Sequence, residues 1–165
     1  MNRIVERINR EGILLEKHYY GEKDQYAYHG GKKLITYPAF EDLDEHKNMF
    51  ILAHELGHHY QYNRYSYILH LVGNLARMKH FISLIFFPFL FWEEVDAWVS
   101  AWKICKEEKV PLNGFWGVAL KALTTYIKSF LKKIIRIGKY VLGFYIGTVF
   151  WIRFLIISEE MNLQQ

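Results

Sequence analysis

The segment Phe50-Ile51-Leu52-Ala53-His54-Glu55-Leu56-Gly57-His58-His59 constrains this chain more than any other. Its histidines at positions 54 and 58 share one helical face, about one turn apart. Imidazoles so placed can reach a single tetrahedral ion over bonds of about 2.0–2.1 Å, which makes His54 and His58 candidate metal ligands. Glu55 falls at the rim of that face, close enough to accept a proton from water at the ion without binding the ion itself. The apolar residues before His54 suit a helix buried beside a reactive site. Gly57 within such a helix costs roughly 1 kcal/mol relative to Ala, so its presence implies close packing, for example against a facing strand. His59 points about 100° away and reads as a surface histidine or a support for a ligand, not a ligand.

A hydrolytic zinc site takes three protein ligands and keeps one position open. Downstream acids that could supply the third are Glu93, Glu94 and Asp96, near the start of a helix predicted over about 92–108. Glu94 is the preferred candidate, because it shares a face with Ala97 and Ala101, whose small side chains would let this helix lie close to the first. Trp98, Val99 and Trp102 would supply apolar packing around it. A structural zinc site would usually close with a fourth protein ligand, often Cys. Cys105 is the one cysteine of the chain, and it lies eleven residues beyond Glu94, roughly 16 Å along a helix, too far to join that cluster.

The flanking sequence predicts an α+β fold, with a small antiparallel sheet packed on the zinc-binding helix and a mainly helical C-terminal part. Residues 2–10 suit a short helix with Ile4, Val5 and Ile8 on one side, and Gly12 punctuates it. Ile13-Leu14-Leu15 reads as a short strand. Tyr26-Ala27-Tyr28 and Leu34-Ile35-Thr36-Tyr37 flank His29–Lys33, and the Gly30-Gly31 pair between two β-favouring runs is a hairpin signal. Pro38 ends the second strand. Glu41-Asp42-Leu43-Asp44 supplies acids for the start of a helix over about 45–62. Pro88 should break or kink any helix through the apolar run Phe81–Trp92. From about 116 the pattern is helical nearly to the end, with weak points at Gly138, Gly143 and Gly147. Two domains are expected, a metal-binding one over 1–110 and a second region over 111–165.

Charge separates those regions. The net +4 of the 165 residues is uneven: residues 1–63 carry 8 Lys/Arg against 10 Asp/Glu, and residues 111–165 carry 7 against 2. Lys121, Lys128, Lys132, Arg136 and Lys139 fall along one helical side, with Leu123, Ile127, Phe130, Ile134 and Ile137 on or near the other. That is the pattern of an interfacial basic helix. Tyr140–Ile157 follows with one charge, Arg153, and as a helix would cover about 27 Å, just enough for a thin hydrocarbon core. Membrane association through residues 117–157 is therefore expected, with the basic run favouring the cytoplasmic side and keeping the metal domain there. The N-terminus is charged and lacks an apolar core, so no cleavable secretory signal is expected. No nucleic-acid motif is present, and the aromatics interleave with aliphatic rather than basic residues, so no nucleic-acid partner is expected.

With its glutamate helix, His54-Glu55-Leu56-Gly57-His58 followed by Glu94-x-x-Ala97 resembles the gluzincin metallopeptidases. It is most similar to the small ImmA/IrrE-type domains, in which a short helix, a glycine-containing hairpin and a strand precede the histidine helix. The resemblance covers about residues 10–105. A second resemblance, to HtpX-like membrane gluzincins, rests on the apolar segment between the two motif helices. The resemblance implies one Zn2+ per chain, held by His54, His58 and Glu94, with Glu55 as general base, acting on a protein or peptide substrate. Trp98 departs from the pattern, since many relatives carry Asn or Asp there to support a metal-bound histidine. Tyr60, Tyr62, His59 and Tyr126 are available by type to stabilise an oxyanion. The competing expectation is a membrane-associated regulatory or interaction protein that keeps the zinc-binding fold without turnover; the intact Glu55 speaks against it.

Overall fold

The computed structural model of the chain describes residues 2–19, 25–65 and 85–162, with side chains followed through residue 148 and at Trp151. It is an α+β fold. Helix α1 (Arg3–Arg10) begins where the Asn2 side chain accepts hydrogen bonds from the Ile4 and Val5 amides, satisfying two donors that the helix itself cannot. Ile4 and Ile8, four residues apart, bury the same face completely. Gly12, at φ +68°, turns the chain through the left-handed region into strand β1 (Leu14–His18).

Strand β2 (Ala27–His29) leads through a 3-10 turn at Gly30–Lys32 into β3 (Leu34–Pro38). The hairpin and its end at Pro38 match the sequence pattern. The sheet differs in one respect: its order is β1-β3-β2, and β1 runs parallel to the central β3 while β2 runs antiparallel. It is therefore mixed, with the glycine turn joining β2 to β3 and β1 on the other edge of β3. Strand β2 is the edge strand on the side of the next helix.

Helix α2 (His46–Arg64) is the centre of the fold. It is buried on several sides at once, packing against α1, β2 and the following helix. Phe50, Leu52, Ala53 and Leu56 join Ile4, Ile8 and Ile35 in the core. Helix α3 (Phe87–Glu107) starts earlier than the sequence pattern suggests. Pro88 sits in its first turn, where its missing N–H is no loss, so it opens the helix instead of breaking it. Glu93, Glu94 and Asp96 consequently lie beyond the first turn of the helix and not near its start. Arg7 ties the N-terminal elements together, donating to the Tyr60 hydroxyl and to the carboxylates of Glu11 and Glu108.

Helix α4 (Phe115–Asn162) passes without interruption through Gly138, Gly143 and Gly147. The chain divides into two compact units, Met1–Tyr126 and Ile127–Gln165. The first takes in the start of α4, where Phe115 and Ala119 are fully buried in the core and Phe115 packs edge-on against Phe50. Among the described residues no helix is long and apolar enough to cross a membrane. The expected apolar segments Tyr140–Ile157 and Phe81–Trp92 fall in part outside the described residues or side chains.

Candidate metal centre

The two motif helices meet at Gly57. A methyl group there would stand 2.6 Å from the Ala97 carbonyl oxygen and 3.1 Å from the Ala97 Cα, so only glycine admits this approach. The close packing that Gly57 implied is present, and the partner is the α3 backbone rather than a strand. Ala97 and Ala101 are both fully buried and supply the small side of the contact. One turn back from Gly57 on α2 is His54, and one turn back from Ala97 on α3 is Glu94. The close crossing therefore brings those side chains face to face.

His54, His58 and Glu94 form a buried group that could hold a metal ion. His54 Nε2 lies 3.2 Å from His58 Nε2 and 3.3 Å from Glu94 Oε2, and His58 Nε2 lies 3.6 Å from the same oxygen. A tetrahedral ion with bonds of about 2.0–2.1 Å sets its ligand atoms about 3.3–3.4 Å apart, and the triangle matches that spacing. Neither carboxylate contact is a hydrogen bond, so Glu94 Oε2 is a buried acceptor without a hydrogen-bond donor among the described residues. A cation is what this arrangement suits.

The electrostatics agree. Burial opposes charge on Glu94, but His54 and His58 outweigh it and hold the carboxyl well below the usual carboxylate range. Burial likewise opposes charge on His58, and Glu94 outweighs it, pushing the imidazole up to about 9. Positive charge is stabilised here, and a metal ion must displace the proton from His58 in order to bind.

Gln61, which sequence reasoning passed over, supports His58. Its side chain is almost fully buried. The Gln61 amide NH2 donates to the Glu93 carbonyl oxygen and to Asp96 Oδ2, which fixes its oxygen toward His58 Nδ1 at 2.9 Å. Neutral His58 therefore carries its proton on Nδ1 and turns the Nε2 lone pair to the cluster. Asp96 is spent on this support, with Tyr65 donating to it as well. Glu93 contributes its carbonyl to Gln61 and also lines the pocket. A glutamine three residues after the second histidine is the signal that was available, since that spacing returns to the same helical face.

His54 is held differently. The Trp98 indole stacks on it, 4.3 Å between ring centroids and 21° between planes, while His54 Nδ1 is buried with no hydrogen-bond partner among the described residues. Trp98 thus orients the imidazole by its face instead of through a hydrogen bond.

Glu55 stands apart from the ligand triangle and opens onto the same pocket of about 560 Å³. Its Oε2 accepts a 2.8 Å hydrogen bond from the Tyr28 backbone N–H of edge strand β2. Of the residues suggested for an oxyanion, Tyr62 and Tyr126 line the pocket. His59 is buried and engaged elsewhere, by the Tyr28 hydroxyl at Nδ1 and by Asn63 at Nε2. The Tyr60 hydroxyl donates to Glu11. Cys105 is buried in the core and away from the cluster, and burial pushes its thiol up to about 12. Comparison with family models, with curated proteins and with solved structures returns no match to this chain.

Proposed function

We propose that this chain is a zinc-dependent peptidase, with His54, His58 and Glu94 as ligands and Glu55 as the general base. The observation that carries the reading is a division of labour between two carboxylates, Glu94 of α3 and Glu55 of α2. Two imidazoles and one carboxylate have ligand-like spacing, while the carboxylate next to the first imidazole stays outside that triangle and faces the same pocket. A purely structural metal site has no use for the second carboxylate. The donor set of two nitrogens and one oxygen, with one side open, suits catalytic zinc. The same donor set occurs with non-haem iron, and metal analysis tells the two apart.

When bound, the ion supplies Lewis acidity, making water a nucleophile near neutral pH and drawing charge from a scissile carbonyl. Glu55, oriented by the Tyr28 amide, receives the proton that the water gives up and returns it to the departing amine. Tyr62 and Tyr126, which line the pocket, would donate to the oxygen that becomes negative. The substrate is a protein or peptide, presented to a pocket that edge strand β2 borders.

The test is metal content alongside hydrolysis of a mixed peptide library. His54→Ala, His58→Ala and Glu94→Ala should lose stoichiometric zinc. Glu55→Gln should keep it and lose cleavage by at least about a hundredfold. Loss of zinc in Glu55→Gln as complete as in His54→Ala would overturn the assignment of roles. A zinc-loaded chain that cleaves nothing would instead be a regulatory or interaction protein.

A further inference from the structure

The second unit carries a surface that the peptidase reading does not use. In α4 the residues Tyr140, Val141, Leu142, Phe144, Tyr145 and Ile146 are all exposed, Phe144 by 80%. Steps of about 100° spread these six side chains around roughly two thirds of the helix, and Gly143 and Gly147 occupy the remainder. A helix that is apolar all round needs an apolar medium on every side. The Thr148 hydroxyl donates to the Phe144 carbonyl oxygen at 2.9 Å, so the one non-aromatic polar side chain of this stretch is satisfied by its own helix.

Immediately before this stretch the helix is basic. Lys128, Lys132, Arg136 and Lys139 recur every three or four residues on one side, and no Asp or Glu occurs between Glu108 and Glu159. A second copy of the chain would cover only one side of the apolar stretch. A protein groove would likewise leave part of it in water. Lipid covers every side, and anionic headgroups match the basic collar.

We infer that α4 docks this chain on an anionic lipid bilayer, with residues 140–148 in the hydrocarbon and Lys128–Lys139 at the headgroups. This inference stands whether or not the metal centre is catalytic.

The experiment is vesicle flotation of the full chain, purified in mild detergent and diluted below micelle formation. Vesicles are phosphatidylcholine alone, or with about one third phosphatidylserine. The chain should float with the anionic vesicles. Lys128→Gln, Lys132→Gln and Arg136→Gln together should weaken that partition on the order of a hundredfold. Phe144→Glu with Ile146→Glu should abolish it, while the thermal melt and zinc content stay those of the parent. The inference is overturned if the parent floats with neither vesicle, if it floats equally with both and the basic variant changes nothing, or if the glutamate pair abolishes a concentration-dependent oligomer and leaves flotation intact.

Discussion

Gly57 of α2 lies so close to Ala97 of α3 that any side chain at 57 would strike the Ala97 carbonyl. The contact sets the separation of two helices whose next turns carry His54 and Glu94. A residue that binds nothing thereby controls the distance between two candidate ligands.

Gly57→Ala therefore tests geometry without touching a ligand. Alanine favours the helix by about 1 kcal/mol, yet forcing the backbones apart costs typically 1–3 kcal/mol. The expected net result is a lower melting temperature and weaker zinc binding together, measured by calorimetry and by competition with a chelating dye. A variant that melts higher and binds zinc as the parent does would show that the helices separate harmlessly.

Of the candidate acids Glu93, Glu94 and Asp96 in α3, Glu94 alone belongs to the triangle. Glu94→Gln should lose zinc, whereas Glu93→Gln should retain it. Asp96→Asn should be intermediate, since Asp96 holds Gln61 and not the ion. Metal analysis of the three purified variants decides the order, and a larger loss at Glu93 than at Glu94 contradicts the geometry described above.

Gln61→Leu removes the acceptor at His58 Nδ1 while filling similar space. Support of this kind is typically worth ten- to a hundredfold in metal affinity. Zinc affinity should fall by about that factor, with the helix content by circular dichroism unchanged. Equal affinity in the two proteins would mean that His58 needs no help from its neighbour.

The metal-free protein should respond to pH in the opposite sense from metal binding. His58 is raised from its ordinary 6.5 to about 9 in the folded state. The stability this contributes is complete below about pH 6.5 and is lost as pH rises through about 9. Melting temperature without metal should fall over that window. Zinc affinity should rise over the same window, because fewer chains hold the competing proton. Paired melting and chelator-competition series from pH 6 to 9.5 check both signs.

The fold class and the ligand candidates were legible because each rests on local spacing. Histidines four apart, glycines between β-favouring runs, and Glu94 aligned with Ala97 and Ala101 need only helix and strand periodicity. What escaped depends on tertiary placement. Pro88 reads equally as a helix breaker or a helix opener until the residues before it have a conformation. Gly57 announces a close neighbour but cannot say whether that neighbour is a strand or a helix. The role of Trp98 was opaque for a similar reason. Its stacking on His54 uses a ring face, and the family pattern led toward a hydrogen-bonding residue at that position. The parallel partner of β3 is a matter of chain topology, and no pair of residues in β1 encodes it.

The hydrogen bond from the Tyr28 amide to Glu55 has a consequence for any mutational survey. Its donor belongs to the main chain, so every substitution at position 28 except proline preserves it. An alanine scan would rank Tyr28 by what its ring and hydroxyl do at His59 and would miss its hold on the carboxylate altogether. Only replacing the amide itself, by proline or by an ester linkage at that bond, would expose how much of the carboxylate's aim comes from the strand.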